Sequence, residues 1–380
     1  MPINFNGQLN HNRVINVLFN MIISVTVMDD NILRGKEHLS DRAKVDGSMY
    51  GDTKLYIGTD VLVSKEWGAD SEASNLLALH RPPIPSQQTI TINKYRQVCL
   101  TIDNYLTKNA FKDEGTFMRF NSQQVAWLSD TKAVYEQKLY DAFIGTVVST
   151  TAAGSKQNPA AYSLPKLTTT DENEQEVPLI GADLNAAYNL RALKIAEILE
   201  NTFDEMEDAS RDYNDWGNLR SYGRDSLTVI MNNKYANEFR LVDLPAIFHN
   251  ENILPQVKKL LSKYFGTKTT TNANANGERS MVENDFNTVA MDNENYDKTK
   301  HIFPGDLWPS GVAYAAGDTY TVDEKIICKI VSKLPPLMSA FVVETSFFNA
   351  KSLTENRYLT WGYNTLEPLA NYPLITIKEA

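Results

Sequence analysis

The chain has 380 residues, 42% of them hydrophobic and 10% aromatic. That is enough for two or three packed units with a sizeable core, and too apolar for a disordered chain. The formal net charge of −10 argues against a surface that grips nucleic acid by neutralising phosphates, although nucleic acid held as enclosed cargo is compatible with it.

Residues 1–49 read as an arm: an Asn-rich start, an apolar stretch at 14–27 and a charged segment at 34–46. The apolar stretch is interrupted by Asn16 and Asn20 and is too short to span a bilayer. It has no clear cleavage site before Asp29-Asp30, so it reads as a packed arm or buried helix, and the chain is taken as mature, soluble protein.

A two-stranded arm follows. Leu55, Ile57, Val61 and Val63 alternate along 54–63, and Ile90, Ile92, Val98, Leu100 and Ile102 along 88–103. Period-two spacing suits strands with one covered face. Between them, Pro82, Pro83 and Pro85 exclude a central strand and predict an extended tip or shoulder. One long helix then runs to about Gly145, a plausible C-terminal stop. Phe117, Val125, Leu128, Tyr135, Leu139, Ala142 and Phe143 make its apolar stripe, with Asp130, Lys132, Glu136 and Lys138 on the other face. A hairpin feeding a long helix suits a part that reaches neighbours better than it suits a catalytic pocket.

Residues 149–178 read as a surface loop or irregular hairpin. A second helix is expected over 183–210, capped by Asp183, with Leu184, Tyr188, Ile195, Ile198, Leu199 and Met206 on its apolar side. Residues 227–231 are a short buried strand, after which Asn232 and Asn233 open a short helix through Phe239. Helices are expected at 243–247 and 253–265, a flexible loop at 267–277 and a strand at 322–331. Pro335-Pro336 breaks the chain, and 341–345 begins a strand pair with 357–361. Cys99 and Cys328 each lie in an apolar run and read as buried reduced thiols of a cytoplasmic protein.

The search for chemistry yields little. His11, His38, His80, His249 and His301 include no pair at i, i+2 or i, i+4, so short-range metal geometry is missing. Asp306 could accept a hydrogen bond from His301. No nucleophile elbow, phosphate-binding loop or dinucleotide-binding turn occurs. Residues 171–215 hold thirteen Asp or Glu against three Lys or Arg. They read as a solvated acidic helix face, with a cation site or a docking surface for a basic partner as the functional alternative; Glu205, Glu207 and Asp208 lack calcium-loop spacing. An acidic face beside Lys258, Lys259 and Lys263 of another copy would steer association. Tyr213, Trp216, Tyr222, Trp308, Tyr314, Tyr358, Trp361 and Tyr363 fit a core or subunit contact better than a sugar groove, because nothing groups them into one platform. No catalytic, cofactor-binding or metal-binding residue is assigned, and no cofactor is expected.

The order of elements (arm, long hairpin, long helix, variable loop, second helix, mixed unit, returning strand pair) resembles the major capsid protein of tailed double-stranded DNA bacteriophages, the HK97-like fold. The resemblance rests on architecture. It covers most of the chain, with 227–232 similar to the first axial strand and 345–359 similar to phage capsid C-termini. It implies an α+β fold with an N-terminal arm at 1–49, an extended loop at 50–103, a peripheral domain at 104–224 and 341–380 built on the spine helix 117–145, and an axial domain at 225–340. It further implies a non-enzymatic head protein that assembles with itself into hexameric and pentameric capsomers of an icosahedral shell. That shell would enclose double-stranded DNA without sequence-specific binding. Portal, scaffolding or decoration proteins would be possible partners, with no membrane; the protein would belong to the virion, assembled in the host cytoplasm. No long charged scaffolding segment precedes the hairpin, and no Lys–Asn cross-linking pair is identified. Alternative readings are an encapsulin-like nanocompartment shell protein, a carbohydrate-binding or carbohydrate-active surface protein, and a cytoplasmic hydrolase with a scattered site.

Overall fold

A computed structural model describes residues 38–47, 52–64, 79, 81–103, 114–149, 155–170, 175–241, 256–270 and 318–380. The expectations for 1–37, for the helix at 243–247 and for His301 with Asp306 lie outside the described residues.

Two helices and two sheets carry the fold. A short helix α1 (Leu39–Ala43) leads into β1 (Lys44–Asp46). Strand β2 (Thr53–Gly58) pairs antiparallel with β3 (Ser86–Asp103), Thr53 opposite Thr91 and Gly58 opposite Ser86. The hairpin is therefore present, but its first strand stops at Gly58 and does not run on to Val63. The Pro-rich 81–85 has no regular structure, as its missing amide donors require.

Helix α2 (Glu114–Thr146) follows, 33 residues long. Leu128, Tyr135, Leu139, Ala142 and Phe143 are buried as the spacing predicts. Glu136 departs from its assignment to the solvent face. It is buried and held by Lys132 at 2.7 Å and Lys44 at 3.3 Å, two cations that compensate its desolvation. Gly145 is not a left-handed cap either. It lies inside the last turn, and a Cβ there would stand 1.9 Å from the Tyr264 carbonyl oxygen, so the close approach of another backbone demands glycine.

The irregular hairpin is β4 (Thr168–Thr170) against β5 (Glu176–Pro178). Helix α3 (Gly181–Glu207) comes next and buries Ile195, Ile198, Leu199, Phe203 and Met206. Asp183 lies in its first turn and is not its cap. Strand β6 (Thr228–Asn232) runs into α4 (Asn233–Leu241). Asn232 caps it, Oδ1 accepting from the Lys234 amide at 3.1 Å while Nδ2 donates to the Ile326 carbonyl.

The helix expected at 253–265 is instead β7 (Gln256–Leu260) and a 3-10 turn at Ser262–Tyr264. Its apolar spacing suits either form. Parallel pairing with β6 decides the outcome. Part of the expected loop at 267–277 is strand: β8 (Gly266–Thr270) pairs with β9 (Asp318–Val322). The single strand expected at 322–331 is broken by a turn after β9, leaving β10 (Ile326–Val331). The strand pair is β11 (Leu337–Asn349) and β12 (Thr354–Asn364), with Val343 opposite Thr360. A last strand, β13 (Leu374–Lys378), was not foreseen.

These strands form a five-stranded sheet, β1-β11-β12-β3-β2, and a four-stranded sheet, β13-β10-β6-β7. Helix α2 belongs to both. Tyr135, Leu139 and Phe143 share one core with Leu359, Trp361 and Tyr363 of the first sheet and with Ile230, Val331 and Leu374 of the second. The opposite face of the second sheet packs on α3, with Val229, Met231, Cys328, Ile330 and Ile375 against Ile195, Leu199 and Phe203.

Candidate assembly surfaces

The first surface grows from the hairpin. Beyond β2 the chain is tied to the body by Asp60. Its carboxylate accepts from Arg211 at 2.5 Å, from the Leu219 amide at 3.1 Å and from the Val61 amide at 2.9 Å. These donors, Arg211 foremost, hold the Asp60 carboxyl down at about 2. Arg220 adds a bond to the Thr59 carbonyl. Gly58 lies against Trp216, where a Cβ would come within 2.4 Å of the ring. Past this anchor the apolar side chains face outward: Leu62 is 72% exposed, Val63 91%, Leu79 84% and Ile84 93%. Exposed aliphatic residues thus stand at 62, 63, 79 and 84.

The second surface is the turn between β11 and β12. Phe347, Phe348 and Leu353 are exposed there, and Leu353 takes a left-handed backbone, φ 54°. Tyr95 and Cys99 of β3 are exposed as well. The expectation of a buried Cys99 fails because this part of β3 has one open face. Residues 93, 95, 97, 99 and 101 point to it, while Ile102 is buried on the other. Cys328 is buried, and burial pushes its thiol up to about 12.

Several carboxylates of the acidic stretch pair with cations. Arg224 serves Glu200 at 3.0 Å, Asp204, and Glu207 at 3.9 Å. Lys156 serves Glu205 at 3.2 Å and Asp212 at 3.5 Å, and the Tyr213 hydroxyl donates to Glu205 at 2.7 Å. The Tyr213 bond and Lys156 hold the Glu205 carboxyl below its usual range. Among the described residues no three His, Cys, Asp or Glu side chains are grouped to hold a metal ion. Nor, among them, is any helix long and apolar enough to cross a membrane. Of the aromatic residues singled out in the sequence, Tyr213, Tyr222, Trp361 and Tyr363 are core residues. Trp308 and Tyr314 lie outside the described residues.

Sequence reasoning missed the anchor at Asp60. Its partner Arg211 is 151 positions away, and no local pattern joins them. It also missed a buried cluster in which Arg191 donates to Glu238 at 3.1 Å and to both oxygens of Glu379 at 2.9 and 3.2 Å. There the Tyr235 hydroxyl also donates to Glu379. This cluster ties the chain's end to α3 and α4.

No family model matches the chain, and no curated protein matches it. Solved structures do. A chain in the capsid structure of Staphylococcus phage Andhra superposes with a TM-score of 0.56 at 11% identity, over 94% of this chain and 88% of that one. A chain in the structure of the head fiber and inner core protein gp22 of native bacteriophage P68 gives a TM-score of 0.52 at 10% identity, over 100% and 92%. At such identities the likeness is one of fold: a mixed α/β architecture found in phage head structures and shared over nearly the whole chain.

Proposed function

We propose that this chain is a major capsid protein, a non-enzymatic structural subunit that assembles with itself into the icosahedral shell of a phage head around double-stranded DNA. The observation that carries the reading is the superposition on a chain of a phage capsid over 94% of this chain. In the finer form of the proposal the fold is HK97-like: 1–49 is the N-terminal arm, 50–103 the extended loop, 104–224 with 341–380 the peripheral domain on spine helix α2, and 225–340 the axial domain. Strand β13 pairs with β10, so these last two domains share a sheet.

The physics of the surface supports an assembling subunit. Identical copies that close a shell need large repeated contacts, and a projecting hairpin supplies them without a larger domain. Exposed Leu62, Val63, Leu79 and Ile84 would be a liability on a monomer and are covered once a neighbour seats on them. A net charge of −10 keeps enclosed DNA from adhering tightly to the wall. Capsomers of six and five copies, contacts with portal, scaffolding or decoration proteins, assembly in the host cytoplasm and residence in the virion belong to the same proposal.

Negative-stain microscopy and light scattering of the purified full chain, alone and with a co-expressed scaffold if its locus supplies one, test it. Shells, rings or capsomers are the expected result. A protein that stays monomeric at high concentration in both settings overturns the proposal.

A further inference from the structure

Lys329 occupies the middle of β10 and is 1% exposed. Its neighbours across the sheet are Ile230 on β6 and Thr376 on β13. The side chain points to the α2 face of the sheet, and its Nζ donates to the carbonyl of Val147, just past the end of that helix. Burying an ammonium group is costly, and here its hydrogen-bond partner is a carbonyl and not a carboxylate. The charged groups that reach it are Lys378 of β13, which repels it, and Asp323 in the turn before β10, which attracts it. Those two pair with each other at 3.4 Å. From the α2 side, among the described residues, comes the negative end of the helix. Burial first, and Lys378 second, hold the amine down at about 7.

We propose that Lys329 is a proton-operated catch between the end of α2 and the four-stranded sheet, closed with the neutral amine and loosened when the amine is protonated. The neutral amine still donates to Val147 and leaves no charge in the joint. The ammonium form requires water, and the joint must open to admit it. Because α2 shares its core with both sheets, this joint bears on how the two are held together.

The direction follows from linkage. The folded value lies below the ordinary lysine value of 10.5, so from about 7 to 10.5 the open or unfolded chain holds more protons than the closed one. Closure therefore strengthens as pH rises through that window, and below about 7 the cost of the buried charge is constant.

Hydrogen exchange of the peptide spanning 143–149 in the full chain tests this, with intrinsic rates divided out. Wild-type protection should rise on the order of tenfold between pH 6 and 8.5, and Lys329→Met should abolish the rise. An equal rise in both proteins overturns the catch. Should Lys329→Met fail to fold, NMR titration of 13Cε-labelled lysines in the wild type decides. A buried lysine titrating near 7 supports the proposal, and none titrating below 9 overturns it.

Discussion

The two large sheets share helix α2 and treat apolar residues in opposite ways. In the four-stranded sheet both faces are covered, one by α2 and one by α3, and every residue of β10 is buried. In the five-stranded sheet one part is covered by α2, while Leu55 and Ile57 of β2 and Phe347 and Phe348 of β11 are exposed, as are Val63, Leu79 and Ile84 beside the hairpin. The first arrangement gains stability from burial within the chain. The second leaves apolar area exposed, which under the proposed function another copy covers. A substitution in the first should therefore be read by denaturation, and one in the second by assembly.

The largest effect on folding is expected at the cluster that fastens the chain's end beside the four-stranded sheet. Arg191→Met removes the cation shared by Glu238 and Glu379, both partly or largely buried. Leaving such carboxylates uncompensated costs about 3–5 kcal/mol. Urea denaturation of the variant should show that loss at neutral pH and a smaller one in acid, where Glu379 is protonated. Next comes Ile330→Ala, which empties a site between β10 and α3 and should cost about 2–5 kcal/mol. If Ile330→Ala proves neutral, the contrast between the sheets is wrong on its buried side.

Only part of the covered sheet was legible in sequence, whereas both strand pairs of the five-stranded sheet, β2–β3 and β11–β12, were expected. Residues 227–231 form a short apolar run whose two faces are both buried, and it reads as a strand without help from partners. The long helix was legible for the same reason, since Leu128 to Phe143 repeat at helical spacing against one core. Short segments decided by pairing were not. Val257 and Leu260 fit a helix until β6 lies beside them, and β13 becomes a strand through β10. The hairpin was legible as a two-stranded part with a Pro-rich interruption, but its exposed aliphatic residues and its anchor were not. Its anchor depends on Asp60 meeting Arg211 and Leu219, which no local pattern announces, and Leu55 and Ile57 of β2 are exposed even before that anchor.

Asp60 gives a smaller, pH-confined effect at the border between anchored and exposed hairpin. Its carboxyl is held at about 2, below the ordinary 3.8. The contribution of the anchor is thus complete above about pH 4 and is lost as pH falls toward 2. With intrinsic rates divided out, protection of the 58–64 amides should fall in the wild type between pH 5 and 2.5. In Asp60→Asn they should exchange fast at both. Slow exchange in the variant at pH 5 would mean that Gly58 against Trp216, together with Arg220, holds the segment by itself.

The smallest effect on folding, and the largest on assembly, is expected at Leu62 and Val63. Both side chains are exposed, so Leu62→Ser with Val63→Ser should shift the urea midpoint by no more than about 0.5 kcal/mol in stability. If the residues are held in reserve for a neighbouring copy, the same pair of changes removes apolar area from every repeated contact in the shell. Capsomers or shells should then fall sharply in yield by light scattering, with the monomer intact. Removing 67–85 should act in the same direction and more completely, and it spares Ser86, where the pairing with β2 begins. The informative failure is specific. Normal shells from the serine pair, with failure only on deletion, would place the contact on the loop itself and not on its aliphatic shoulders. Normal shells from both would remove the hairpin from assembly and leave Phe347 and Phe348 as the surface to test next.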